Sequence, residues 1–345
     1  MNDFDRYMND YQTQWRRNNL ENQQPGMQNG KKRPWILPRK LWQEGLWTGI
    51  RSGKNSLPAY LDKPNGHVKK HNGAHNLKSS WILCANLYFP FQEDLETLAG
   101  FLQNHVSPII GTVDQIELEW AEKPPLDPTT LLGEPQGQRG RNQTSPDIAF
   151  IVNGGKGIVL TESKFTEHSF YPCSGRKKIY GNPDNGRCMN PHKVYDDPAN
   201  QCYMLQWASG ERTNRKYWDY LKFTPAGLGI LKRCPAATAG YQLFRQQALA
   251  EALAQKGPYD FVTSCVAYDE RNWVLLECLK SSGINDFTKG WYPLFEGKAK
   301  FATFTHQQWV RWVTENKKEV WEDWLDYVNR RYDFTSSHGM GEVSK

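Results

Sequence analysis

The sequence lacks any long apolar run, and no stretch approaches the ~20 residues that a membrane-spanning helix requires. It also lacks the apolar segment of a secretory signal peptide near its N-terminus. The excess of positive charge is small: 43 basic residues stand against 37 acidic ones, and a net charge of +6 permits an anionic partner without requiring one. We therefore expect a soluble, cytoplasmic protein that does not bind membranes.

Cysteine is scarce, and an odd number of seven in 345 residues argues against a secreted disulfide scaffold. Tryptophan is abundant by contrast, with 14 copies, and many of these must serve packing. A chain of this length can bury a sizeable core in one large domain or two small ones.

Composition and hydrophobic periodicity predict how the chain is organised. Residues 1–30 are polar with few aliphatic side chains, which predicts a poorly ordered arm with at most a short helix around 7–17. One ordered domain is expected over 31–333, with a loop-rich, cysteine-containing insertion at 165–235 and a flexible tail at 334–345. Within the domain we expect helices at 93–106, 241–254 and 305–332 and strands at 113–120 and 261–268.

The most informative stretch is a predicted hairpin between residues 147 and 164. Two apolar runs flank Asn-Gly-Gly-Lys-Gly, a turn sequence that joins antiparallel strands because glycine adopts positive φ without strain. Asp147 opens the first run, and Glu162 and Lys164 close the second. Because side chains alternate along a strand, Glu162 and Lys164 lie on a face that begins as core. Charges in that position indicate a bound partner.

These residue types suit metal-assisted hydrolysis of phosphodiesters. Mg²⁺ prefers hard oxygen ligands, which Asp147, Glu162 and the carbonyl of Ser163 would supply. Lys164 would orient the attacking water or offset charge on the phosphate in the transition state. The alternative is a strand that emerges into solvent, with Glu162 and Lys164 as a simple ion pair. Glu-x-Lys alone is a weak signal, because it recurs elsewhere in the chain, as at 296–298.

Pro146-Asp147 followed by Glu162-Ser163-Lys164 resembles the signature of the PD-(D/E)XK nuclease superfamily. The wider context is similar to a bacterial family of restriction-endonuclease-like proteins. The segments that carry this similarity are 76–87, 139–145, 162–167 and 241–245. The resemblance implies an α/β (α+β) fold with a restriction-endonuclease-like core, in which helices flank a mixed central sheet. It also implies Asp147 and Glu162 as metal ligands and Lys164 as the catalytic lysine.

The resemblance extends to two further site candidates. In the superfamily a glutamine-bearing helix often packs against the active site, and Gln242 looks like the first glutamine of that motif. Many relatives also use a glutamate from an earlier element, a role that Glu134 could fill as a third acidic ligand. The alternatives are an ordinary amphipathic helix for Gln242 and a solvent-exposed loop acid for Glu134.

Several basic residues suggest contacts with nucleic acid. Arg139 and Arg141 lie in a proline- and glycine-rich loop, and guanidinium groups suit phosphate oxygens. Lys31, Lys32 and Arg33 begin a basic stretch with interleaved tryptophans, which suggests a phosphate-tracking surface with aromatic anchors. The alternative is a solvated face over a tryptophan-rich core.

Four cysteines fall in the irregular insertion and are candidates for a metal site: Cys173, Cys188, Cys202 and Cys234. Such a segment buries little apolar surface, so a Zn²⁺ ion or a [4Fe-4S] cluster would explain how it holds a shape. The cysteine spacing matches no zinc ribbon or ferredoxin pattern. His192 could replace one cysteine around zinc, and unliganded cysteines are the alternative.

Two functions of different classes fit these features. The first is an Mg²⁺- or Mn²⁺-dependent nuclease that hydrolyses phosphodiester bonds in DNA, as a monomer or a homo-oligomer. The second is a catalytically inactive nucleic-acid-binding or assembly subunit with a nuclease-like fold. The intact set of two acids and a lysine argues against the second, because a binding module has little reason to desolvate those charges together. A metal hydrolase that acts on small molecules is a weaker third option, given the arginine-rich loop beside the hairpin.

Overall fold

The computed structural model describes residues 3–62, 68–176, 185–205, 213–316 and 318–335. Its strands are β1 (Gly26–Gln28), β2 (Lys31–Arg33), β3 (Val113–Leu118), β4 (Ile148–Val152), β5 (Gly157–Lys164), β6 (Lys222–Phe223), β7 (Phe261–Tyr268), β8 (Phe295–Glu296) and β9 (Lys300–Thr305). Its α-helices are α1 (Asp3–Asn19), α2 (Leu57–Leu61), α3 (Ser80–Tyr88), α4 (Leu95–His105), α5 (Pro128–Leu132), α6 (Pro191–Asp196), α7 (Pro198–Gln201), α8 (Tyr217–Tyr220), α9 (Pro225–Ile230), α10 (Tyr241–Lys256), α11 (Trp273–Leu276), α12 (Phe287–Gly290), α13 (His306–Glu315) and α14 (Glu322–Tyr332).

The central sheet has the strand order β3-β4-β5-β7-β9. Strands β3, β4 and β5 pair antiparallel, whereas β7 and β9 run parallel to β5. The turn between β4 and β5 contains Asn153, Gly154 and Gly155, with φ values of 58°, 68° and 78°. These positive φ values are the reason that the turn needs Asn-Gly-Gly. A mixed central sheet flanked by helices confirms the predicted fold class.

Each face of the sheet carries its own apolar layer. On one face, α3, α4, α13 and α14 contribute to an aromatic core in which Phe91 stacks on Trp321 with ring centroids 4.1 Å apart. Trp309 is fully buried in this core, as expected for a packing tryptophan. On the other face, α10 packs over the sheet. The alternating side chains of β5 serve both layers, since Val159 joins the aromatic core and Leu160 joins the layer under α10.

Most of the predicted elements are confirmed, but one helical pattern is divided. The first two expected helices correspond to α4 and α10, and the expected strands correspond to β3 and β7. The pattern expected as one helix over 305–332 forms α13 and α14, because a 3₁₀ segment at Glu319–Trp321 comes between them. Thr305 begins α13 in a capping box with Gln308.

The N-terminal segment corrects the prediction of a poorly ordered arm over residues 1–30. Helix α1 contacts α14 and places Phe4 in the aromatic core. The buried guanidinium of Arg16 donates hydrogen bonds to the carbonyl oxygens of Pro34 and Ile36 at 2.8 and 3.0 Å. The composition argument failed because this helix is anchored by a few aromatic and polar side chains rather than by aliphatic ones.

The cysteine-containing insertion has little regular structure where it is described, and α6 to α9 are each four to six residues long. The domain boundaries stay predictions, and the tail predicted at 334–345 lies outside the described residues from 336 onward. Among the described helices, none is long and apolar enough to cross a membrane.

We expect Arg16→Ala to lower the free energy of unfolding by about 2–4 kcal/mol, because the buried carbonyl oxygens would lose their donor. Urea denaturation followed by tryptophan fluorescence measures this change. Arg17→Ala is the matched control, since Arg17 is the exposed neighbour on the same helix and its loss should cost less than about 0.5 kcal/mol. Equal stability of the two variants would contradict the anchoring role of Arg16.

Candidate active site

The hairpin of β4 and β5 brings the predicted acidic residues together. Ile148 pairs with Thr161 in the ladder between the two strands, so Asp147 and Glu162 follow at the same end of the sheet. The backbone amide of Ser163 donates a hydrogen bond to Asp147 Oδ2 at 2.8 Å. This bond ties the carboxylate that precedes β4 to the backbone of β5.

The ammonium of Lys164 is held between β5 and α10. Its Nζ donates to Glu162 Oε1 at 2.6 Å and to Gln242 Oε1 at 2.9 Å, and the side chain is only 3% exposed. Burial acts to lower the pKa of Lys164, but the charges of Glu162, Glu167 and Asp147 outweigh burial and leave the pKa above its ordinary value. Lys164 therefore carries a positive charge at neutral pH.

The backbone around Lys164 is fixed from the aromatic core. His306 Nε2 lies 3.1 Å from the Lys164 carbonyl oxygen, and His306 Nδ1 lies 2.8 Å from the Tyr88 hydroxyl. Burial lowers the pKa of His306 to about 4, so the neutral imidazole can donate at one nitrogen and accept at the other. Next to Lys164, Ser163 Oγ donates to the Ser80 carbonyl oxygen at the start of α3, at 3.3 Å.

A third carboxylate, Glu119, joins Asp147 and Glu162, and sequence patterns alone did not identify it. Glu119 follows β3, is 5% exposed, and its amide donates to the Asp147 carbonyl oxygen at 3.0 Å. Alternation along β3 groups Glu119 with Glu117, but a φ of 47° at Glu119 redirects the chain where the strand ends. The sequence did offer one clue to Glu119, because it is an acidic residue near the end of the strand predicted at 113–120, which was expected to begin the sheet.

Burial and neighbouring carboxylates raise the pKa values of Asp147 and Glu119. Burial is the main cause that raises the pKa of Asp147, followed by the charge of Glu162, whereas Lys164 and the Ser163 amide act to lower it. Burial and the charges of Asp147 and Glu162 likewise raise the pKa of Glu119. The site thus holds more negative charge than Lys164 offsets, and a bound cation would relieve this imbalance.

Glu134, predicted as a third acidic ligand, takes part in a different set of contacts. Its Oε1 lies 3.1 Å from the Arg245 guanidinium and accepts hydrogen bonds from the hydroxyls of Thr144 and Tyr217 at 2.6 and 2.8 Å. Burial acts to raise the pKa of Glu134, but Arg245 and these hydrogen bonds bring it below its ordinary value. This placement corrects the expectation, because Glu134 ties the loop before β4 to α10 and Glu119 stands beside Asp147 in its place.

The two arginines predicted as phosphate clamps have different surroundings. The Arg139 guanidinium donates to Glu117 Oε2 at 2.5 Å and to the Tyr60 hydroxyl at 2.7 Å. These bonds make Arg139 a brace for the end of β3 and leave it poorly placed to clamp phosphate. Arg141 is exposed, so its guanidinium is accessible to a partner.

A cleft of about 970 Å³ opens beside the end of β5. Glu167 and Tyr171, which follow β5, line it together with Arg33. Arg33 ends β2, on which Lys31 and Lys32 are exposed. A ligand that enters this cleft would therefore pass a basic hairpin on its way to the end of β5.

The four cysteines predicted as metal ligands lie in one neighbourhood. Cys173, Cys188 and Cys234 are buried, Cys202 is half-buried, and all four are free thiols. Cys173 interacts electrostatically with the other three. Cys173 and Cys234 belong to the apolar layer on the side of the sheet that α10 covers.

We expect Glu134→Gln to lower the free energy of unfolding by about 1–3 kcal/mol at neutral pH, because Arg245 would lose its buried partner. The folded pKa of Glu134 lies below its unfolded value, so its stabilising effect is present above the unfolded pKa and is lost as pH falls through the folded pKa. Urea denaturation at several pH values measures the difference, with the exposed Glu319→Gln as control. A fully stable Glu134→Gln variant that no longer binds divalent metal would contradict the structural role.

Comparison with known proteins places the chain in a family. A family model described as Restriction Endonuclease associating with ARP matches residues 8–333. No curated protein and no solved structure matches the chain. The match includes the hairpin, Glu119 and Gln242, and it extends over almost the whole sequence. The chain therefore belongs to the family described as Restriction Endonuclease associating with ARP.

Proposed function

We propose that the chain is a divalent-metal-dependent nuclease of the PD-(D/E)XK type that hydrolyses phosphodiester bonds in DNA. The observation that carries this proposal is the meeting of Asp147, Glu162 and Lys164 at one end of the central sheet, with Gln242 bound to the lysine. Membership of a restriction-endonuclease family supports it. A protein that only binds nucleic acid has little need to bury several acids together, since burial of like charges costs folding free energy.

Mg²⁺ or Mn²⁺ is the cofactor that suits these oxygen ligands. Asp147, Glu162 and the Ser163 carbonyl would hold it, with Glu119 as the third acid. The raised pKa values of Asp147 and Glu119 support this fit, because burial and neighbouring acids both disfavour the ionised carboxylates and a cation would favour them. Among the described residues, no group of three or more His, Cys, Asp or Glu side chains is arranged to hold an ion as it stands, so the carboxylates would turn on binding. The bound ion would acidify a water and polarise the phosphate.

Lys164 serves as a hydrogen-bond donor rather than as a general base, because its ammonium stays protonated at neutral pH. Two of its three protons go to Glu162 and Gln242, and the third can point at the attacking water or at a phosphate oxygen. The ammonium then offsets the negative charge that develops on the phosphate. Gln242 is a positioning residue that acts through Lys164.

DNA would reach the site through the cleft beside β5. Arg33 lines this cleft, and the exposed Lys31 and Lys32 continue the positive surface outward along β2. The exposed Arg141 would supply a further phosphate contact from the loop before β4. Contacts of this kind give affinity that is independent of sequence and falls with salt.

We expect Glu162→Gln and Lys164→Ala each to reduce metal-dependent DNA cleavage by about 10²–10⁴-fold, because one removes a ligand charge and the other removes the charge that stabilises the transition state. Cleavage rates on a panel of linear and supercoiled DNA with Mg²⁺ or Mn²⁺ measure this effect.

The chain offers its own matched control for this experiment. Glu296 and Lys298 have the same Glu-x-Lys spacing but are exposed. Glu296→Gln and Lys298→Ala should therefore cleave like the wild type. If Glu162→Gln and Lys164→Ala also cleave like the wild type, the proposed site is wrong. If no form of the protein cleaves any substrate although all bind DNA, the function is binding without hydrolysis.

We expect Asp147→Asn to raise the free energy of unfolding at neutral pH without divalent metal, by about 1 kcal/mol or more. The folded pKa of Asp147 lies above its unfolded value, so deprotonation costs stability as pH rises through that interval, and the amide removes this cost. The gain should vanish below the ordinary carboxyl pKa.

The same experiment has a metal arm. Mg²⁺ or Mn²⁺ should raise the melting temperature of the wild type and leave that of Asp147→Asn nearly unchanged. If Asp147→Asn is less stable than the wild type at every pH, and metal changes its melting temperature as much as that of the wild type, the proposed acidic metal site is contradicted.

A further inference from the structure

The four cysteines of the insertion come from separate turns that meet beside α10. Cys173 precedes the 3₁₀ turn Ser174–Arg176, and Cys234 precedes the π-helical turn that leads into α10. Cys188 lies just before α6, and Cys202 directly follows α7. The amide of Cys173 donates to the Ala236 carbonyl oxygen at 2.8 Å, which joins the first of these turns to the last.

Gly175 shows how tightly two of the sulfurs are enclosed. Its amide donates a hydrogen bond to Cys173 Sγ at 3.4 Å. A methyl group added to Gly175 would lie 3.1 Å from Cys188 Sγ and 2.8 Å from Tyr203 Cβ. Only glycine fits at this position. The backbone of the turn therefore lies between Cys173, Cys188 and Tyr203, which follows Cys202 in the sequence.

Three of the sulfurs receive backbone N–H groups in the same pattern. The backbone amide two residues after the cysteine interacts with the sulfur in each case: Gly175 donates to Cys173 Sγ at 3.4 Å, Met204 interacts with Cys202, and Ala236 interacts with Cys234. For Cys202 and Cys234, the amide three residues on adds a second interaction. Donors of this kind stabilise a thiolate rather than a neutral thiol. A repeated turn that prepares sulfur for negative charge is typical of cysteines that bind metal.

Apolar side chains surround the same place. Cys173 and Cys234 belong to the apolar layer that α10 covers. The indole N–H of Trp218, beside Cys202, is buried and has no hydrogen-bond partner of standard geometry in the described part of the chain. N–H donors around sulfurs in an apolar place are explained if the sulfurs are thiolates that bind a cation.

We propose that Cys173, Cys188, Cys202 and Cys234 together hold one thiolate-bound metal centre, as a Zn²⁺ ion or an iron–sulfur cluster. As the described residues stand, no three of the sulfurs are arranged to hold an ion, and rotation of the side chains on binding closes the site. His192 is exposed and is not needed as a ligand. The centre replaces the hydrophobic core that helices of four to six residues cannot provide.

The centre also has a structural connection to the candidate active site. The backbone N–H of Gln242 donates a hydrogen bond to the Phe170 carbonyl oxygen at 3.0 Å. The backbone N–H of Phe170 donates to the Ala239 carbonyl oxygen at 2.8 Å. Cys173 is three residues beyond Phe170, so the centre would hold the segment that sets the start of α10. The proposal does not depend on nuclease activity, because it is tested by metal content.

The test uses full-length protein purified without oxygen and without chelators or an affinity metal. Elemental analysis should find one zinc per chain, or iron with an equal amount of acid-labile sulfide and a brown absorption band. Cys173→Ser and Cys234→Ser should each lose most of this metal, whereas Cys278→Ser, whose cysteine lies outside the cluster, should keep it. Wild-type protein without stoichiometric zinc or iron, or variants that keep their metal, would overturn the proposal.

A second measurement avoids the risk that a cysteine variant fails to fold. Stepwise titration of the wild type with an organomercurial should release zinc, or bleach the cluster, in proportion to the modification of four thiols. Release before any thiol reacts would show that the metal is bound elsewhere and would overturn the assignment.

Discussion

The ammonium of Lys164 lies in the interior, bound by Glu162 and Gln242; Glu162 and Glu119 are buried as well, and Asp147 is half-buried. This buried charge cluster is the constraint on which the rest of the fold depends. Strand β5 must carry charged side chains into a region that each face of the sheet would otherwise fill with apolar groups. The hairpin with β4, the parallel pairing with β7 and hydrogen bonds to Gln242 and Gln246 of α10 fix it there. His306 holds the Lys164 backbone from the aromatic core, so packing far from the cleft sets the position of the ammonium.

The cluster is unbalanced, and this imbalance links stability to the proposed chemistry. Lys164 offsets Glu162 directly, but the half-buried Asp147 and the buried Glu119 have raised pKa values. Acids elsewhere in the fold have an arginine partner, such as Glu134 beside Arg245 and Asp269 beside Arg271. Two kinds of acid therefore differ: Glu134 and Asp269 each pair with an arginine, whereas Asp147 and Glu162 lie beside a single lysine.

Much of this site could be predicted from the sequence because it rests on local rules. The Asn-Gly-Gly turn, two apolar runs and side-chain alternation were enough to bring Asp147, Glu162 and Lys164 to one end of a hairpin. Gln242 could be identified from its resemblance to a motif, and in the structure its Oε1 accepts a hydrogen bond from Lys164.

The other predictions failed where tertiary contacts decide the outcome. Glu134 and Glu119 are both acids near turns, and only the partner Arg245 and a positive φ at Glu119 distinguish them. Arg139 was predicted to bind phosphate, but its guanidinium donates hydrogen bonds to Glu117 and Tyr60. The N-terminal helix was expected only as a short stretch around 7–17 in a poorly ordered arm, because its anchors are single aromatic and polar side chains with partners distant in the sequence.

The most direct test of the central claim is diffraction from crystals soaked in Mn²⁺, with anomalous scattering used to locate the ion. The account predicts an anomalous peak between the carboxylates of Asp147 and Glu162, close to Glu119 and to the ammonium of Lys164. Crystals saturated with Mn²⁺ in which the ion binds elsewhere, while Asp147 and Glu162 remain without metal, would contradict it.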